Sequence, residues 1–488
     1  MLRSLVAIGA LNKSVKMSHA ASVQPELRDA NQRIASLHRE FALATYDKAI
    51  CGMRQIVPSG DNSTFLRKAL IACLLVHCIE SCLQDLNTAY FQAQVGYELL
   101  HKWIAEHPHK ETGIGSPNSN IIEDDIFSEF ARQDLHGAMR WGDKKLELHQ
   151  ARRLEGTDTI MNMPLVFSSL EEARRYAELV LRRTFHLMSE AFACIIAVKV
   201  ESGHAYTADT PGELVDPCHV PETLLEDRDT YLRDIRRWRH AFRPVFDSSI
   251  LSADPENAGA AALFRIRALD AEIVLAGAFF TDECSFDRYP PEFREIIALS
   301  RIFIQKRKQT TPRFEPIFNL ENGIENGLQS VGMYCRDKNL RHEALYLLRS
   351  QAYLDATKYT CRMAIRVAYH IGLEEEGRRA DGSIPESARY HRNWCLNHWF
   401  EKSQDVTLIY ARRLCYPLGK SYPAKREWKQ RTFTQAEIED MVEAENYECP
   451  PGRGKFDVWP AGIRKPNSVK WTEVHDELLR TVQRHSPD

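Results

Sequence analysis

The chain has 488 residues, of which 44% are hydrophobic and 27% charged, and this composition is typical of a folded protein with a sizeable core. Its 64 Lys and Arg residues are balanced by 67 Asp and Glu residues, and the net charge of −3 argues against broad binding to a nucleic-acid backbone. The 12 cysteines are scattered, mostly inside apolar helical patterns, as is typical of reduced, buried thiols in an intracellular protein.

The first helical pattern, within residues 1–20, has two interpretations. It carries Arg and Lys but no acid before Glu26, as a mitochondrial presequence does. Leu2, Leu5 and Val6 also fit a helix cut off at its beginning, which is the interpretation we favour. Residues 25–56 then form an amphipathic helix, whose apolar residues are Leu27, Ile34, Leu37, Phe41, Ala44, Ala49 and Ile50.

The segment 64–104 predicts two long helices folded back on each other, and we expect this hairpin to be the buried centre of the fold. From Phe65 to Leu83, apolar residues fall on nearly every face of the first helix, which predicts burial almost all round. The second helix carries a stripe of mostly small residues that lets two backbones approach closely: Ala89, Ala93, Gly96 and Leu100.

Two further helices have strong local signals. Ser169 and Glu172 form a capping box, which predicts a helix start just before a long apolar face. Within residues 223–247, apolar residues recur every three or four positions while the arginines and His240 between them point elsewhere. This apolar face consists of Tyr231, Ile235, Trp238, Phe242 and Val245.

Helical patterns recur to the end of the predicted domain, and no run of alternating residues predicts a strand. They cover residues 258–280, 290–307, 323–335, 338–350, 354–376 and 389–414. The sequence therefore predicts an all-α fold, an array of antiparallel helix pairs around a buried core hairpin. We expect residues 1–415 to form this domain and residues 416–488 to form a partly ordered tail rich in Pro, Gly and Lys.

No sequence motif of a phosphate-binding loop, a dinucleotide fold, a nucleophile elbow or a zinc protease is present, so we assign no catalytic, cofactor-binding or metal-binding residue. Cys73, Cys78 and Cys82 come closest to a cluster, but their apolar flanks favour structural burial. His107 and His109 are interpreted as solvated histidines of a polar loop, with His101 upstream in the predicted hairpin, because no further ligand is signalled nearby.

Four charged runs also favour a structural interpretation. The acidic triplets at 123–125 and 374–376 are interpreted as solvated faces, since adjacent helical side chains cannot converge on one ligand. The basic residues around Trp238 are interpreted as the solvated face of a helix with one buried tryptophan. The basic run 306–308 is a weak nuclear import signal, and the end of a helix explains it better.

Several stretches, in the same order along residues 1–400, resemble the helical regulatory region of fungal-specific zinc binuclear cluster transcription factors. They are residues 2–11, 68–100, 121–136, 167–188, 238–249, 333–350 and 373–391. The core hairpin and residues 335–350 are the most specific of them. The six-cysteine zinc cluster of that family requires closely spaced cysteine pairs, and no C-x-x-C pair occurs in this chain.

The resemblance implies a nuclear regulator-like protein, not an enzyme, that modulates expression of a metabolic gene cluster through protein partners or a small effector. It implies no direct nucleic-acid binding by this chain, and no membrane association is expected. Three alternatives stay open: an enzyme of a biosynthetic pathway on a helical scaffold, a truncated gene model of a complete zinc-cluster factor, and a cytoplasmic location.

Overall fold

The chain folds into successive paired helices, followed by one small sheet. The computed structural model describes residues 1–23, 25–54, 62–83, 86–106, 113–138, 146–201, 222–280, 282–310, 323–352, 359–390, 396–399, 405–413 and 426–438. Within these ranges the α-helices are α1 (Leu2–Val23), α2 (Arg28–Arg54), α3 (Asn62–Cys82), α4 (Leu86–Ala105), α5 (Asp124–Ala138), α6 (Leu146–Arg153), α7 (Thr157–Met161), α8 (Leu170–Glu201), α9 (Glu222–Ile250), α10 (Pro255–Gly277), α11 (Pro290–Thr310), α12 (Glu325–Tyr334), α13 (Lys338–Ala352) and α14 (Tyr359–Glu375). The strands are β1 (Leu396–Trp399), β2 (Val406–Arg413) and β3 (Arg426–Phe433).

Helices that follow each other in the chain pack against each other, as α1 does with α2, α3 with α4, α9 with α10, and α13 with α14. Contacts between helices further apart in the chain join these pairs; for example, α8 packs against α5, α6 and α10. In the first pair, Ser14 Oγ donates to the Ala35 carbonyl and Arg3 donates to the Lys48 carbonyl, so α1 and α2 run antiparallel. The predicted all-α fold built from helix pairs is confirmed.

The centre of the array is α10, not the hairpin of α3 and α4. Every residue of α10 from Ala268 to Gly277 is buried, because the helix packs against α8, α9, α11 and α12. Small residues make this possible, and the largest set of buried apolar residues extends from here through α8 to α14. The expectation of a central α3–α4 hairpin is therefore wrong, since apolar composition alone does not say which of several apolar helices is enclosed.

The α3–α4 hairpin itself is present and closes a smaller apolar cluster with α5. Most of α3 is only half-buried, with Leu70 and Ile79 among its few fully enclosed residues. The predicted small stripe on α4 is buried, and a Cβ atom added at Gly96 would lie 2.3 Å from Cε1 of Phe130 on α5. The glycine therefore makes room for an aromatic ring as well as for the neighbouring helix.

The start predicted for α8 and the apolar face predicted for α9 are confirmed. The Glu172 amide donates to Ser169 Oγ over 3.1 Å, and the Glu172 carboxylate accepts from the Ser168 amide over 2.7 Å, so the reciprocal bond of the cap reaches one residue further back. On α9, Tyr231, Ile235, Trp238 and Phe242 are buried, and Val245 is half-buried.

The helix predicted at 389–414 is wrong, because an antiparallel sheet in the order β1-β2-β3 lies there. Val406, Leu408 and Tyr410 are buried on β2, and their period of two fits a strand with one face against the helices. The Tyr410 hydroxyl donates to the Arg366 carbonyl of α14 over 3.0 Å, which fixes the sheet to the helical array. The β-branched and aromatic residues of β2 favour this conformation over a helix.

Strands β2 and β3 pair across the predicted boundary at residue 415, from Val406 opposite Phe433 to Arg413 opposite Arg426. Part of the predicted tail therefore belongs to the sheet, while residues 439–488 lie outside the described part of the chain. Among the described residues, no helix combines the length and the apolar character needed to cross a bilayer.

Candidate functional site

The antiparallel pair α1–α2 is held together by a seam of mostly small residues, spaced three, four or seven apart. The α1 side contributes Ser4, Ala7, Leu11, Ser14 and Ala21, and the α2 side contributes Asn31, Ala35, Ala42 and Ala49, all of them buried. This is heptad spacing, and small side chains at such positions let two helices lie close together. The face of α2 that is enclosed within the chain is therefore its small-residue face.

The large apolar residues of α2 lie on a different face, and they are exposed. The exposed fractions of Ile34, Leu37 and Phe41 are 39%, 65% and 55%, and Leu27 just before the helix is exposed at 48%. We call Leu27, Ile34, Leu37 and Phe41 the α2 stripe. They are the residues that made α2 amphipathic in the sequence, so its apolar face is not used by the packing of the described residues.

Helix α3 covers the opposite flank of α2. The Tyr46 hydroxyl donates to the Glu80 carboxylate over 2.5 Å, and Ile79 and Cys82 of α3 pack with Ala42. At 3.6 residues per turn, Tyr46 projects about half a turn from Leu37. The α2 stripe therefore faces away from α3, and contiguous exposed apolar surface of this kind is a recognised mark of a contact site.

A second candidate is a buried polar cluster where α4, α5 and α6 meet α8. His186 Nε2 lies 2.7 Å from Asp134 Oδ2, and His186 Nδ1 lies 2.9 Å from His149 Nδ1. The side chains of Asp134 and His186 are both 0% exposed. This Asp-His-His chain has the components of a proton relay, but its enclosure makes it a link between helices in this conformation.

Arg152 extends the same cluster towards α4. Its guanidinium donates to Nε2 of His101, lies 3.7 Å from the centre of the Tyr97 ring, and is 3.8 Å from Asp134. Because burial lowers the pKa of His101, the neutral ring accepts this hydrogen bond. His101 is thus a packed residue of α4, in the segment 64–104 that the sequence predicts as a helical hairpin.

Glu155 anchors the other side of the cluster. Its carboxylate lies 3.1 Å from Arg182, and its carbonyl accepts from Arg183 over 2.6 Å. Burial alone would raise the pKa of Glu155, but the charge of Arg182, with that of Arg152, lowers it overall. The carboxylate stays ionised, which keeps the turn before α7 fixed to α8.

The pH dependence of stability follows from His101. Its ordinary pKa is 6.5, and burial lowers this value in the folded chain, so the unfolded chain takes up the proton first as the pH falls. Stability should therefore decrease below about pH 6.5, by at most about 1.4 kcal/mol per pH unit for this one group. Urea unfolding at neutral and mildly acidic pH should show a smaller loss for His101→Gln, because glutamine accepts the Arg152 bond without titrating.

The control for this prediction is His240→Gln, since His240 is exposed on α9. It should lose as much stability on acidification as the unmodified chain. Equal losses in His101→Gln and His240→Gln would contradict the assignment of this effect to His101.

A third cluster corrects the interpretation of the acidic triplet 374–376. Glu374 is fully buried and accepts from Arg341 over 2.7 Å and from the Tyr390 amide over 3.0 Å, with Arg336 at 3.2 Å and His370 at 3.3 Å. Burial alone would raise the pKa of Glu374, but the charge of Arg336, the neighbouring His370 ring and the charge of Arg341 lower it well below its usual range. Only Glu376 of the triplet is exposed. Arg341 of α13 also donates to the Gly332 carbonyl of α12 over 3.1 Å, so the cluster joins α12, α13 and α14.

Within the part of the chain that the structure describes, one group has the donor set of a metal site: Asp282, Cys284 and Glu386, whose ligand atoms lie within 4.8 Å of one another. Both oxygens of Glu386 already accept backbone amides, from Glu283 over 3.0 Å and from Cys284 over 2.9 Å. Burial, with the hydrogen bond to Glu386, raises the pKa of the Cys284 thiol to about 12, and a protonated thiol is a poor ligand. This group is better explained as the cap of a short helical turn.

The remaining residues that the sequence singled out have structural surroundings. Cys73 and Cys82 are buried, Cys78 is half-buried, and burial raises the pKa of all three thiols, as expected for structural cysteines. His107 and His109 lie outside the described residues. Around Trp238, Arg236 and Arg239 are ion-paired with Glu272 of α10.

The residues that sequence reasoning missed are those brought together across long separations. Asp134 and His186 are 52 positions apart, and Arg341 and Glu374 are 33 apart, so no local pattern connects either pair. The spacing of the α2 stripe, in contrast, is visible in the sequence. Comparison of the chain with family models, with curated proteins and with solved structures gives no significant match.

Proposed function

We propose that this chain is a helical regulatory protein that modulates the expression of a fungal metabolic gene cluster through a protein partner, without a DNA-binding module of its own. The proposal places its action in the nucleus. It rests on the ordered resemblance to the regulatory region of fungal zinc-cluster factors and on one structural observation, the exposed α2 stripe.

The α2 stripe supports a binding function because its large apolar side chains are less stable in water than packed against other apolar residues. Burying one large aliphatic or aromatic side chain stabilises a structure by about 1.5–3 kcal/mol. Three such residues follow one another along α2 at positions 34, 37 and 41, with exposed fractions of 39% to 65%. A helix that presents such a stripe can pack against an apolar stripe on another helix.

The buried polar clusters favour a regulatory protein over the alternative of an enzyme. The Asp134–His186 pair and the Arg341–Glu374 pair have side chains that are 0% exposed, so a substrate would have to separate packed helices to reach them. The first pair connects α5 with α8, which are not consecutive in the chain, and the second connects the neighbouring helices α13 and α14. Their role in this proposal is to hold the array in one shape, so that α2 is presented in a fixed orientation.

The test is made in the source organism with two variants of the chromosomal copy. Leu37→Arg and Phe41→Arg together place two cations on the α2 stripe, whereas Leu43→Arg alters a residue on another face of α2 that is 38% exposed. We expect the stripe variant to change transcript levels of the metabolic cluster as deletion does, at an unchanged protein level, and the control to match the unmodified strain.

Identical transcripts in the stripe variant and the control, in a strain where deletion has an effect, would contradict the proposal. Turnover of a pathway intermediate by the purified chain would instead favour the biosynthetic enzyme.

A further inference from the structure

Helix α2, together with Leu27 just before it, carries a complete heptad series on its exposed side. Leu27, Ala30, Ile34, Leu37, Phe41, Ala44, Lys48 and Cys51 are spaced alternately three and four residues apart, and all eight are exposed. This series is separate from the buried positions that face α1, such as Ala35 and Ala42. Alternating spacings of three and four are the pattern of a seam between two coiled helices, so α2 has one seam inside the chain and a second one outside it.

We propose that the second seam binds α2 of a second copy of this chain, antiparallel and about a two-fold axis near Arg39. This inference rests on the proposed function, and it identifies a second copy of the chain as a protein partner of the α2 stripe. In this register Leu37 packs against Phe41 of the second copy, and Ile34 packs against its Ala44. A large residue then meets a small or complementary one in each central layer, which is the interdigitation that a packed seam requires.

The polar positions select the antiparallel over the parallel arrangement. In a parallel pair, Lys48 would face Lys48 of the second copy within the seam, and burying two like charges together is costly. In the antiparallel pair, Lys48 lies opposite Ala30. The end of each helix then places Leu27 opposite Cys51, which is an exposed thiol.

Charges beside the seam are self-complementary in the same register. Arg33, Glu40 and Asp47 are exposed and occupy the flank of the α2 stripe that faces away from α1. An antiparallel pair sets Arg33 opposite Asp47 of the second copy, twice by symmetry, and sets Glu40 opposite itself. Two attractive pairs thus outnumber one repulsive pair.

The surrounding fold favours the association because α2 is already formed. Helix α2 is 27 residues long and is held by α1 over most of its length. The free energy needed to fold the helix is therefore not subtracted from the free energy of association, as it is for an isolated coiled coil of this size. From Leu27 to Cys51 the seam is about 36 Å long at 1.5 Å per residue.

The first experiment measures the mass of the full chain by sedimentation equilibrium across the micromolar range. We expect twice the 56.1 kDa of one chain, a monomer for Leu37→Arg with an unchanged circular dichroism spectrum, and a dimer for the control Leu43→Arg. A monomeric unmodified chain throughout this range overturns the inference, as does a Leu37→Arg variant that remains folded and dimeric.

Charge variants test the partner and the direction together. Arg33→Asp and Asp47→Arg should each raise the dissociation constant by about tenfold, which corresponds to 1.4 kcal/mol, because each makes two like-charged pairs. The double exchange should restore the dimer, and Glu40→Gln should tighten it. Failure of the double exchange to restore a dimer that both single variants weaken would contradict this register.

Disulfide formation under mild oxidation gives an independent measure of direction. Leu27→Cys should join covalently to the native Cys51 of the second copy, and the unmodified chain should form no Cys51–Cys51 link, since those thiols would lie about 36 Å apart in the antiparallel pair. Efficient Cys51–Cys51 cross-linking in the unmodified dimer would overturn the antiparallel arrangement. A monomeric chain whose α2 stripe variants still change transcription would refute the self-association alone and leave the proposed function standing.

Discussion

Arg341→Met is expected to reduce the free energy of unfolding by about 3–5 kcal/mol, because it leaves a buried carboxylate without its closest cation. Arg341 Nη2 lies 2.7 Å from Glu374, and neither side chain is exposed. Arg336 and His370 still lie near Glu374, but at 3.2 Å and 3.3 Å, so they compensate only in part. Urea unfolding followed by far-ultraviolet circular dichroism measures the loss.

Two further variants identify the cause of this effect. Arg67→Met removes an ion pair with Glu123 in which both side chains are nearly half exposed, so stability should hardly change. Arg341→Met combined with Glu374→Gln should recover part of the loss, since the unpaired charge is gone. If Arg341→Met and Arg67→Met had equally small effects, the cluster would not hold α12, α13 and α14 together as described.

Trp238→Ala is expected to cost a similar amount, about 3–5 kcal/mol, because it opens a large cavity between α8 and α9. Trp238 is 1% exposed, and its indole nitrogen donates to the Ala173 carbonyl over 2.9 Å. The ring packs against Phe242 and Phe167, with centroids 4.7 Å and 6.3 Å away. The same unfolding measurement applies, and Trp238→Phe should lose less because most of the ring is retained.

Leu251→Ala is the matched control for this cavity, since Leu251 follows α9 and is 51% exposed. It should unfold at nearly the same urea concentration as the unmodified chain. A Trp238→Ala variant as stable as Leu251→Ala would mean that α9 does not depend on its buried face.

Local patterns in the sequence were sufficient for most helices. The capping box at Ser169 and the spacing of Tyr231, Ile235, Trp238 and Phe242 were correct because both signals act over one or two turns. The sheet was not predicted, because its signal does not come from one or two turns of local sequence. Val406, Leu408 and Tyr410 alternate over too short a stretch to be recognised beside a helical pattern, and their burial depends on the distant helix α14.

Burial against a distant element could not be predicted from one position and its neighbours. Glu374 stands in a run of three acids that suggests a solvated face, and only the fold brings Arg341 to it. The α2 stripe is the opposite case. Its heptad spacing is readable in the sequence, but whether the apolar face meets its own chain or another one depends on which face α1 occupies.

The buried charged pairs and the exposed α2 stripe have different roles, in stability and in the proposed function. The buried pair at His186 joins α5 to α8, and the pair at Glu374 joins α13 to α14, so both hold helices of the array together. The α2 stripe lies on the outside of this array, on the side away from α3. In this account the charged residues in the interior maintain shape, and the apolar residues on the surface make the contact.

The most direct measurement of that claim is cross-linking inside the living cell, with a photoreactive amino acid at position 37 or, as the control, at position 43. Both side chains are exposed on the same helix, but only Leu37 belongs to the α2 stripe. We predict that position 37 gives a protein adduct, with the attached peptide containing Phe41 of a second copy, and that position 43 does not. Equal yields from both positions, or no adduct from position 37, would contradict the account.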